Sequence, residues 1–275
     1  DNALPTPDWA LTRLRQAWRT RVPEHLYPTR YIAQQSCEML QGLAGGDRPF
    51  FLQCSFPDPH HPFTPPGRYW DMYRPDDVVL PSSFDAPLTD APPPISWLHA
   101  QRAGRPANFK PGHGTFAVTH QEAREALALN YGNIACIDDA IGRVMAELQR
   151  LGLADNTVVM FTSDHGDLLG DRGLMFKGGL HYGGLTRVPF IWSDPKALGT
   201  SASLAPRVSP ALAQTIDIPA TVLARAGLEP AHGMQGQSLL PLMSGQADAL
   251  RSSVLIEEEG QRLDFGLAQR IRMRT

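Results

Sequence analysis

Runs of apolar residues predict three buried strands, at 49–56, 157–162 and 188–192. Each run is close to continuous rather than alternating, which is typical of strands that are covered on both faces in a parallel sheet. We expect the first of them to be central. A shorter run at 253–256 predicts a further strand near the end of the chain.

Helical spacing of apolar residues predicts three helices between these strands, at 29–43, 120–151 and 218–226. Thr119 and Glu122 have the spacing of a capping box at the start of the long helix. Strands alternate with helices, so the predicted fold class is α/β, with a mostly parallel sheet flanked by helices. Proline clusters exclude regular structure between 57 and 94 and predict a long functional or covering loop there.

Composition and charge narrow the class of protein. The 275 residues are 42% hydrophobic and 19% charged, which is ordinary for a globular chain, and no apolar run is long enough to span a membrane. The net charge of −3 gives no sign of a nucleic-acid partner. Cys37, Cys54 and Cys136 are far apart and indicate buried thiols. We expect a soluble protein of the cytoplasm or periplasm, and the sequence does not indicate its oligomeric state.

Polar residues follow the strand predicted at 157–162. Asp164 and His165 stand in Thr-Ser-Asp-His-Gly, directly after this strand. Because ligands of parallel α/β sheets bind outside the carboxyl ends of strands, this carboxylate and imidazole are candidate metal ligands. The alternative is a strand-end turn with a capping aspartate and a surface histidine.

Two further segments carry candidate catalytic groups. His60 lies in Pro-His-His-Pro-Phe after the strand at 49–56, and Lys177 lies in Phe-Lys-Gly-Gly. With a metal, these groups suit a reaction on an oxyanion ester, since Lys and His neutralise charge on the oxyanion and on the leaving oxygen. The alternatives are a solvated loop lysine, His60 and His61 bonded to backbone, and, for His181, a core histidine.

The chain resembles the sulfatase family of the alkaline-phosphatase superfamily. Six segments resemble sequence motifs of the family and occur in the family's order. They lie at 59–63, 69–81, 131–151, 161–177, 187–189 and 236–241. The resemblance implies an alkaline-phosphatase-like α/β fold, truncated at both ends.

The resemblance also implies roles for individual residues. Asp164 and His165 match two metal ligands, His60 matches the histidine that contacts the ester and its leaving oxygen, and Lys177 matches the lysine on the sulfate oxygens. The implied metal is Ca²⁺ or Mn²⁺, and the imidazole favours Mn²⁺. His61 matches a variable position. Two departures are Arg172, where many members carry His, and Gly183, where many carry an acidic residue.

The family's nucleophile motif is Cys/Ser-x-Pro-x-Arg, whose Cys or Ser becomes formylglycine, and the chain does not contain it. The stretch at 64–68 has the form Thr-x-Pro-x-Arg, but it follows the histidine loop, where the family has ordinary structure. We therefore reject it as the nucleophile motif. We therefore expect residues 1–260 to be the C-terminal part of a sulfatase catalytic domain and residues 261–275 to start a truncated C-terminal subdomain. Such a fragment is expected to be inactive alone.

The expected function of the intact enzyme is the hydrolysis of a small-molecule sulfate monoester by a metal and a formylglycine-type nucleophile outside this chain. This expectation requires Asp164, His165, His60 and Lys177 to serve one cavity. The alternatives are a phosphonate monoester or phosphodiester hydrolase of the same superfamily and a non-catalytic scaffold.

Overall fold

The computed structural model describes residues 16–105, 114–195, 208–262 and 269–274. The chain divides into two compact units. One unit comprises Asp1–Leu153 and Gly166–Arg187, and the other comprises Ala154–His165 and Val188–Thr275. The α-helices of the described residues are α1 (Pro28–Leu43), α2 (Pro93–Ala103), α3 (His120–Arg150), α4 (Gly183–Thr186), α5 (Asp217–Arg225) and α6 (Leu240–Ser244). The strands are β1 (Phe116–Ala117), β2 (Val159–Thr162), β3 (Leu174–Met175), β4 (Phe190–Ser193), β5 (Glu257–Arg262) and β6 (Gln269–Arg274).

Local sequence signals explain where the helices of the first unit begin. Pro28 opens α1 at a position whose N–H would lack a helical partner in any case. The predicted capping box opens α3: the Glu122 N–H donates to Thr119 Oγ1 at 3.2 Å and the Thr119 N–H donates to Glu122 Oε2 at 2.8 Å. α1 and α3 pack against each other. The helix predictions at 29–43 and 120–151 are therefore confirmed.

The helix α2 was not expected from the sequence. Proline clusters predicted irregular structure as far as residue 94, yet α2 starts at Pro93 with proline in its first turn. The first turn tolerates proline because its N–H groups have no intrahelical acceptor. A proline cluster therefore ends an irregular segment here and also begins a helix.

An aromatic and aliphatic core holds the first unit together. It combines side chains of α3, of the strands β1 and β3 and of the loops around them. Its buried members are Ala17, Phe63, Trp70, Phe84, Phe116, Val118, Ala123, Ala126, Leu129, Met175 and Phe176.

The strand pairings differ from the predicted mostly parallel sheet. Among the described residues, β1 pairs with β3, β2 with β4 and β5 with β6, and all three pairs are antiparallel. The one parallel pairing described is the isolated bridge between Ala17 and Phe63. The direction of a pair depends on the path of the connecting chain, which the composition of a strand does not encode.

The predicted strand at 49–56 forms no named strand in the structure. Leu52, Cys54 and Phe56 are half-buried while the residues between them are exposed, so the segment has the alternation of an extended strand with one covered face. Ser36 of α1 donates to Cys54 Sγ at 3.1 Å on that face. Phe51 is 78% exposed, so the prediction of a central strand covered on both sides does not hold within this structure.

A buried carboxylate organises the second unit. Asp217 at the start of α5 is completely buried and accepts hydrogen bonds from the N–H groups of Gln214 at 2.8 Å and Gln237 at 2.9 Å. The Arg251 guanidinium forms a bidentate pair with it, at 2.5 and 2.8 Å. Burial alone would raise the pKa of Asp217, but Arg251 and the two backbone donors hold the pKa below its ordinary value.

The remaining predictions on the second unit are close to the structure. The helix predicted at 218–226 is α5, and the strand predicted at 157–162 is β2. The strand predicted at 188–192 is shifted to Phe190–Ser193, and the one predicted at 253–256 begins only at Glu257.

Of the three thiols, all of them in the first unit, Cys136 is buried as expected, whereas Cys37 and Cys54 are half-buried. None of the described helices combines the length and apolar content needed to cross a bilayer.

Candidate active site

The loop that follows the segment at 49–56 presents His60 to solvent. His60 is exposed, and its Nδ1 forms a short hydrogen bond with the carbonyl oxygen of His61. A carbonyl oxygen can only accept, so Nδ1 carries the proton and Nε2 is the ring atom left for other chemistry. The alternative that His60 hydrogen-bonds to the backbone is thus correct for Nδ1.

A buried polar cluster holds the start of this loop. The Asp58 carboxylate accepts hydrogen bonds from the Tyr27 hydroxyl, at 3.3 Å, and from Thr29. Burial raises the pKa of Asp58 and, together with that carboxylate, the pKa of Tyr27. The Asn130 amide of α3 donates to the Pro59 carbonyl at 3.2 Å. Hydrogen bonds from two helices therefore fix the backbone just before His60.

The ring of His61 connects the His60 loop with the segment of Lys177. His61 is only 2% exposed, and its ring stacks on that of Phe176 with centroids 3.9 Å apart. Phe176 immediately precedes Lys177. Within the first unit, the structure thus brings the segments of both predicted catalytic residues into contact.

Lys177 lies at the end of a tightly turned loop. It is half-buried, between the buried Phe176 and Gly178, so it is not a fully solvated loop lysine. Phe176 has a backbone φ of +66°, which residues other than glycine rarely adopt. Its carbonyl accepts a hydrogen bond from the Leu168 N–H at 3.0 Å. The backbone on which Lys177 stands is therefore defined by packing and by a hydrogen bond across the loop.

The two residues that depart from the family's sequence pattern, Arg172 and Gly183, lie in the same loop. Arg172 has a φ of +53°, and its guanidinium carbon lies 5.2 Å from the centre of the Tyr182 ring. The His99 Nε2 hydrogen-bonds the Arg172 carbonyl at 2.8 Å, which ties this turn to α2. Gly183 is exposed at the start of α4, and His181 is half-buried and so is not a core histidine. Arg172 thus keeps a cation, stacked on an aromatic ring, where many members have an imidazole.

Asp164 and His165 lie in the second unit, at the end of β2. Asp164 Oδ1 accepts from the backbone N–H of His165 at 2.9 Å, and its Oδ2 lies 3.7 Å from His165 Nε2. Partial burial raises the pKa of Asp164, but the N–H and the imidazole of His165 lower it by more. The pKa therefore lies below its ordinary value. The Asp164 side chain is exposed and is ionised at neutral pH.

A divalent cation fits the donor types at this strand end. A carboxylate and an imidazole suit Mn²⁺, whereas Ca²⁺ prefers oxygen ligands alone. Within the described ranges, His, Cys, Asp and Glu side chains do not assemble a group of three that could hold a metal. Asp164 and His165 can therefore act as two ligands of a larger set, and their metal role stays a prediction.

Gly166, where the chain enters the first unit, is packed against the loop backbone. Its N–H donates to the Leu185 carbonyl at 2.8 Å, and a Cβ at this position would lie 2.0 Å from the Gly184 oxygen. No side chain fits there unless the backbone moves. The glycine of the Asp-His-Gly stretch is thus required by packing.

The variant Gly166→Ala is expected to lower the free energy of unfolding by about 1–3 kcal/mol, the usual cost of overpacking. Urea unfolding of the chain measures it. Gly42→Ala in α1 is the control, because a Cβ there meets nothing within 4 Å and alanine favours helix. Equal stabilities of the two variants would show that the loop moves aside at little cost.

Sequence reasoning missed three residues that shape the site: Asp58, His61 and Asn130. Asp58 and Asn130 have only local meaning in the sequence, because their partners lie in distant segments. His61 was set aside as a variable position. The only available signal was its place between His60 and a proline, which does not reveal a stack on Phe176.

Known proteins resemble this chain over most of its length. The sequence model described as Sulfatase matches residues 8–228. An arylsulfatase of Clostridium perfringens is 34% identical over 175 residues, which cover 62% of this chain and 33% of that protein. A multifunctional alkaline phosphatase superfamily protein of Trinickia caryophylli is 30% identical over 227 residues, which cover 82% of this chain and 43% of that protein.

Solved structures show the same relationship. The phosphonate monoester hydrolase of Agrobacterium radiobacter superposes with a TM-score of 0.69 at 26% identity, covering 90% of this chain and 48% of that one. The alkaline-phosphatase-like α/β fold is thus confirmed, and the chain spans less than half the length of these three relatives. Since the family model covers most of the described residues and both loops of the candidate site, the chain belongs to the sulfatase family.

Proposed function

We propose that the whole protein is a metal-dependent sulfuric ester hydrolase that cleaves small-molecule sulfate monoesters. The observation that supports this most directly is the contact between the loop of the exposed His60 and the segment of Lys177, made through His61 and Phe176. This contact supports the proposal because it joins the segments that carry an imidazole and an ammonium. An anionic ester needs such groups for its oxygens.

In this proposal each group has a defined task. The Lys177 ammonium neutralises charge on the non-bridging oxygens. His60, when both of its ring nitrogens carry a proton, donates the Nε2 proton to the leaving oxygen and keeps the proton on Nδ1. Asp164 and His165 hold a divalent metal, Mn²⁺ or Ca²⁺, which when bound polarises the ester oxygens. The nucleophile is a formylglycine-type residue outside these 275 residues, so the 275-residue chain alone is expected to be inactive.

The hydrolysis of phosphonate monoesters or phosphodiesters is the second candidate function. It is favoured by the superposition on a phosphonate monoester hydrolase and by the imidazole of His165, which suits Mn²⁺. Both functions use the same residues. They differ in the ester that is turned over fastest.

The test compares the whole protein on p-nitrophenyl sulfate and p-nitrophenyl phenylphosphonate. We expect the larger kcat/KM on the sulfate, loss of activity after chelation, and recovery with Mn²⁺ or Ca²⁺. His165→Ala is expected to lower the metal content of the purified protein, measured by elemental analysis. A larger kcat/KM on the phosphonate supports the second function, and no turnover of either ester supports the non-catalytic scaffold.

A further inference from the structure

Three rings are stacked in a row across two segments of the first unit. His60 and His61 have ring centroids 4.1 Å apart, and His61 and Phe176 have centroids 3.9 Å apart with ring planes only 12° from parallel. The row runs from an exposed ring to a fully buried one. Its buried end is one residue from Lys177, and its exposed end is His60.

The buried end of the row is fixed by the core. Phe116 and Phe63 meet the Phe176 ring edge-on, with centroids 5.1 and 6.0 Å away. Edge-to-face contacts of this kind define the orientation of a ring as well as its position. Phe176 is therefore a rigid base on which the His61 ring lies.

The exposed end of the row has few other restraints from the part of the chain that the structure describes. Among the described residues, one hydrogen bond, from Nδ1 to the neighbouring carbonyl, orients the His60 imidazole within its loop. An exposed side chain with one such bond retains much rotational freedom. The His61 face removes part of that freedom, because it limits the directions in which the His60 ring can turn.

We propose that His61 is a positioning residue of the hydrolytic site, which carries the fixed orientation of Phe176 to the His60 imidazole. It keeps His60 and Lys177 in a constant relation, so that both reach one ester group. The inference rests on the proposed function, since it assigns His61 a task in that reaction. Small misplacements of a catalytic group cost much rate, because near-attack geometry is lost.

A purely structural role for His61 makes different predictions. A buried ring that only fills space would affect the stability of the fold and leave the orientation of His60 unchanged. The two roles are separated by His61→Phe, which keeps a stacking ring, and His61→Leu, which keeps an apolar side chain without one. Leu40→Ala is the matched control, because it opens a cavity in the packing of α1, where no residue of the row lies.

The kinetic experiment measures kcat and KM of the whole protein on p-nitrophenyl sulfate. We expect His61→Phe to stay within about threefold of the parent, and His61→Leu to lose about tenfold or more in kcat with little change in KM. Leu40→Ala is expected to lower the melting temperature and leave kcat unchanged. Equal kcat for His61→Phe and His61→Leu, or a kcat loss in Leu40→Ala as large as in His61→Leu, overturns the inference.

A second measurement needs no turnover. In the NMR spectrum of histidine-labelled protein, the His60 ring protons are expected to be shifted by the His61 ring, with the assignment made from His60→Asn. His61→Phe keeps a ring-current shift and His61→Leu loses it. If the parent hydrolyses neither ester, the proposed function fails while this spectrum still tests the stack. If the parent is active and the His60 signals are identical in all variants, the positioning role alone is wrong.

Discussion

The variant Lys177→Ala is expected to lower kcat/KM of the whole protein on p-nitrophenyl sulfate about 100-fold or more. This is the scale of losing one preorganised donor to a developing oxyanion, roughly 3 kcal/mol. The half-buried position of Lys177 between buried neighbours strengthens the expectation, since partial exclusion of water increases the effect of a charge. The backbone beneath it is held by Phe176, so the remaining loop is expected to keep its shape.

Arg48→Ala is the matched control for charge. Arg48 is exposed in the same unit, so this variant removes one positive charge without touching the loop. Lys177→Arg tests the geometry, and we expect it to recover only part of the rate, because a planar guanidinium does not replace a compact ammonium. A kcat/KM for Lys177→Ala equal to that of Arg48→Ala would show that Lys177 has no role in catalysis.

The variant Arg251→Met is expected to lower the free energy of unfolding by about 3–5 kcal/mol, the cost of leaving a buried charge without its partner. The Asp217 side chain is completely buried and that of Arg251 is 12% exposed, so water replaces little of the lost interaction. Two N–H groups also depend on this carboxylate. Urea unfolding measures the loss, and amide hydrogen exchange at Gln237 locates it in the second unit.

Arg19→Met is the control for this variant. Arg19 and Asp71 form an ion pair at 2.7 Å, but both side chains are exposed, at 36% and 58%. Such a pair contributes about 0–1 kcal/mol. Similar losses in the two variants would show that burial does not strengthen the Asp217 pair.

The effect of Arg251→Met also depends on pH. The pKa of folded Asp217 lies below the ordinary value, so the pair contributes stability above the unfolded pKa of about 3.9, and this contribution is lost as the pH falls through the lower folded pKa. The difference in unfolding free energy between the parent and Arg251→Met is therefore expected to shrink below about pH 4. A constant difference between pH 7 and about pH 3 would contradict this account.

Local chemistry in the sequence was sufficient to predict the helices α1, α3 and α5. The capping box at Thr119 determines where α3 begins, and periodic apolar residues determine which face of each helix is buried. These signals act over a few residues, so they are readable from the chain alone. The candidate site residues His60, Asp164, His165 and Lys177 were found for a similar reason, since each stands in a short motif at a strand end or loop.

Contacts between distant segments were not readable. The antiparallel direction of β2 and β4 depends on how the chain returns after residue 162, and the burial of Asp217 depends on Arg251 arriving from far along the chain. The start of α2 inside a proline cluster was not predictable, because proline is tolerated both in the first turn of a helix and in an extended loop.

The family, the approximate bounds of α1, α3 and α5, and the chemical types of the candidate site residues follow from the sequence alone, because these depend on local propensity and on short motifs. Three further facts are visible only in the folded chain: which strands pair, that Asp217 has a guanidinium partner, and that His61 lies between His60 and Phe176. Those facts depend on packing between segments far apart in the chain, and no pattern within one segment specifies its neighbour in space.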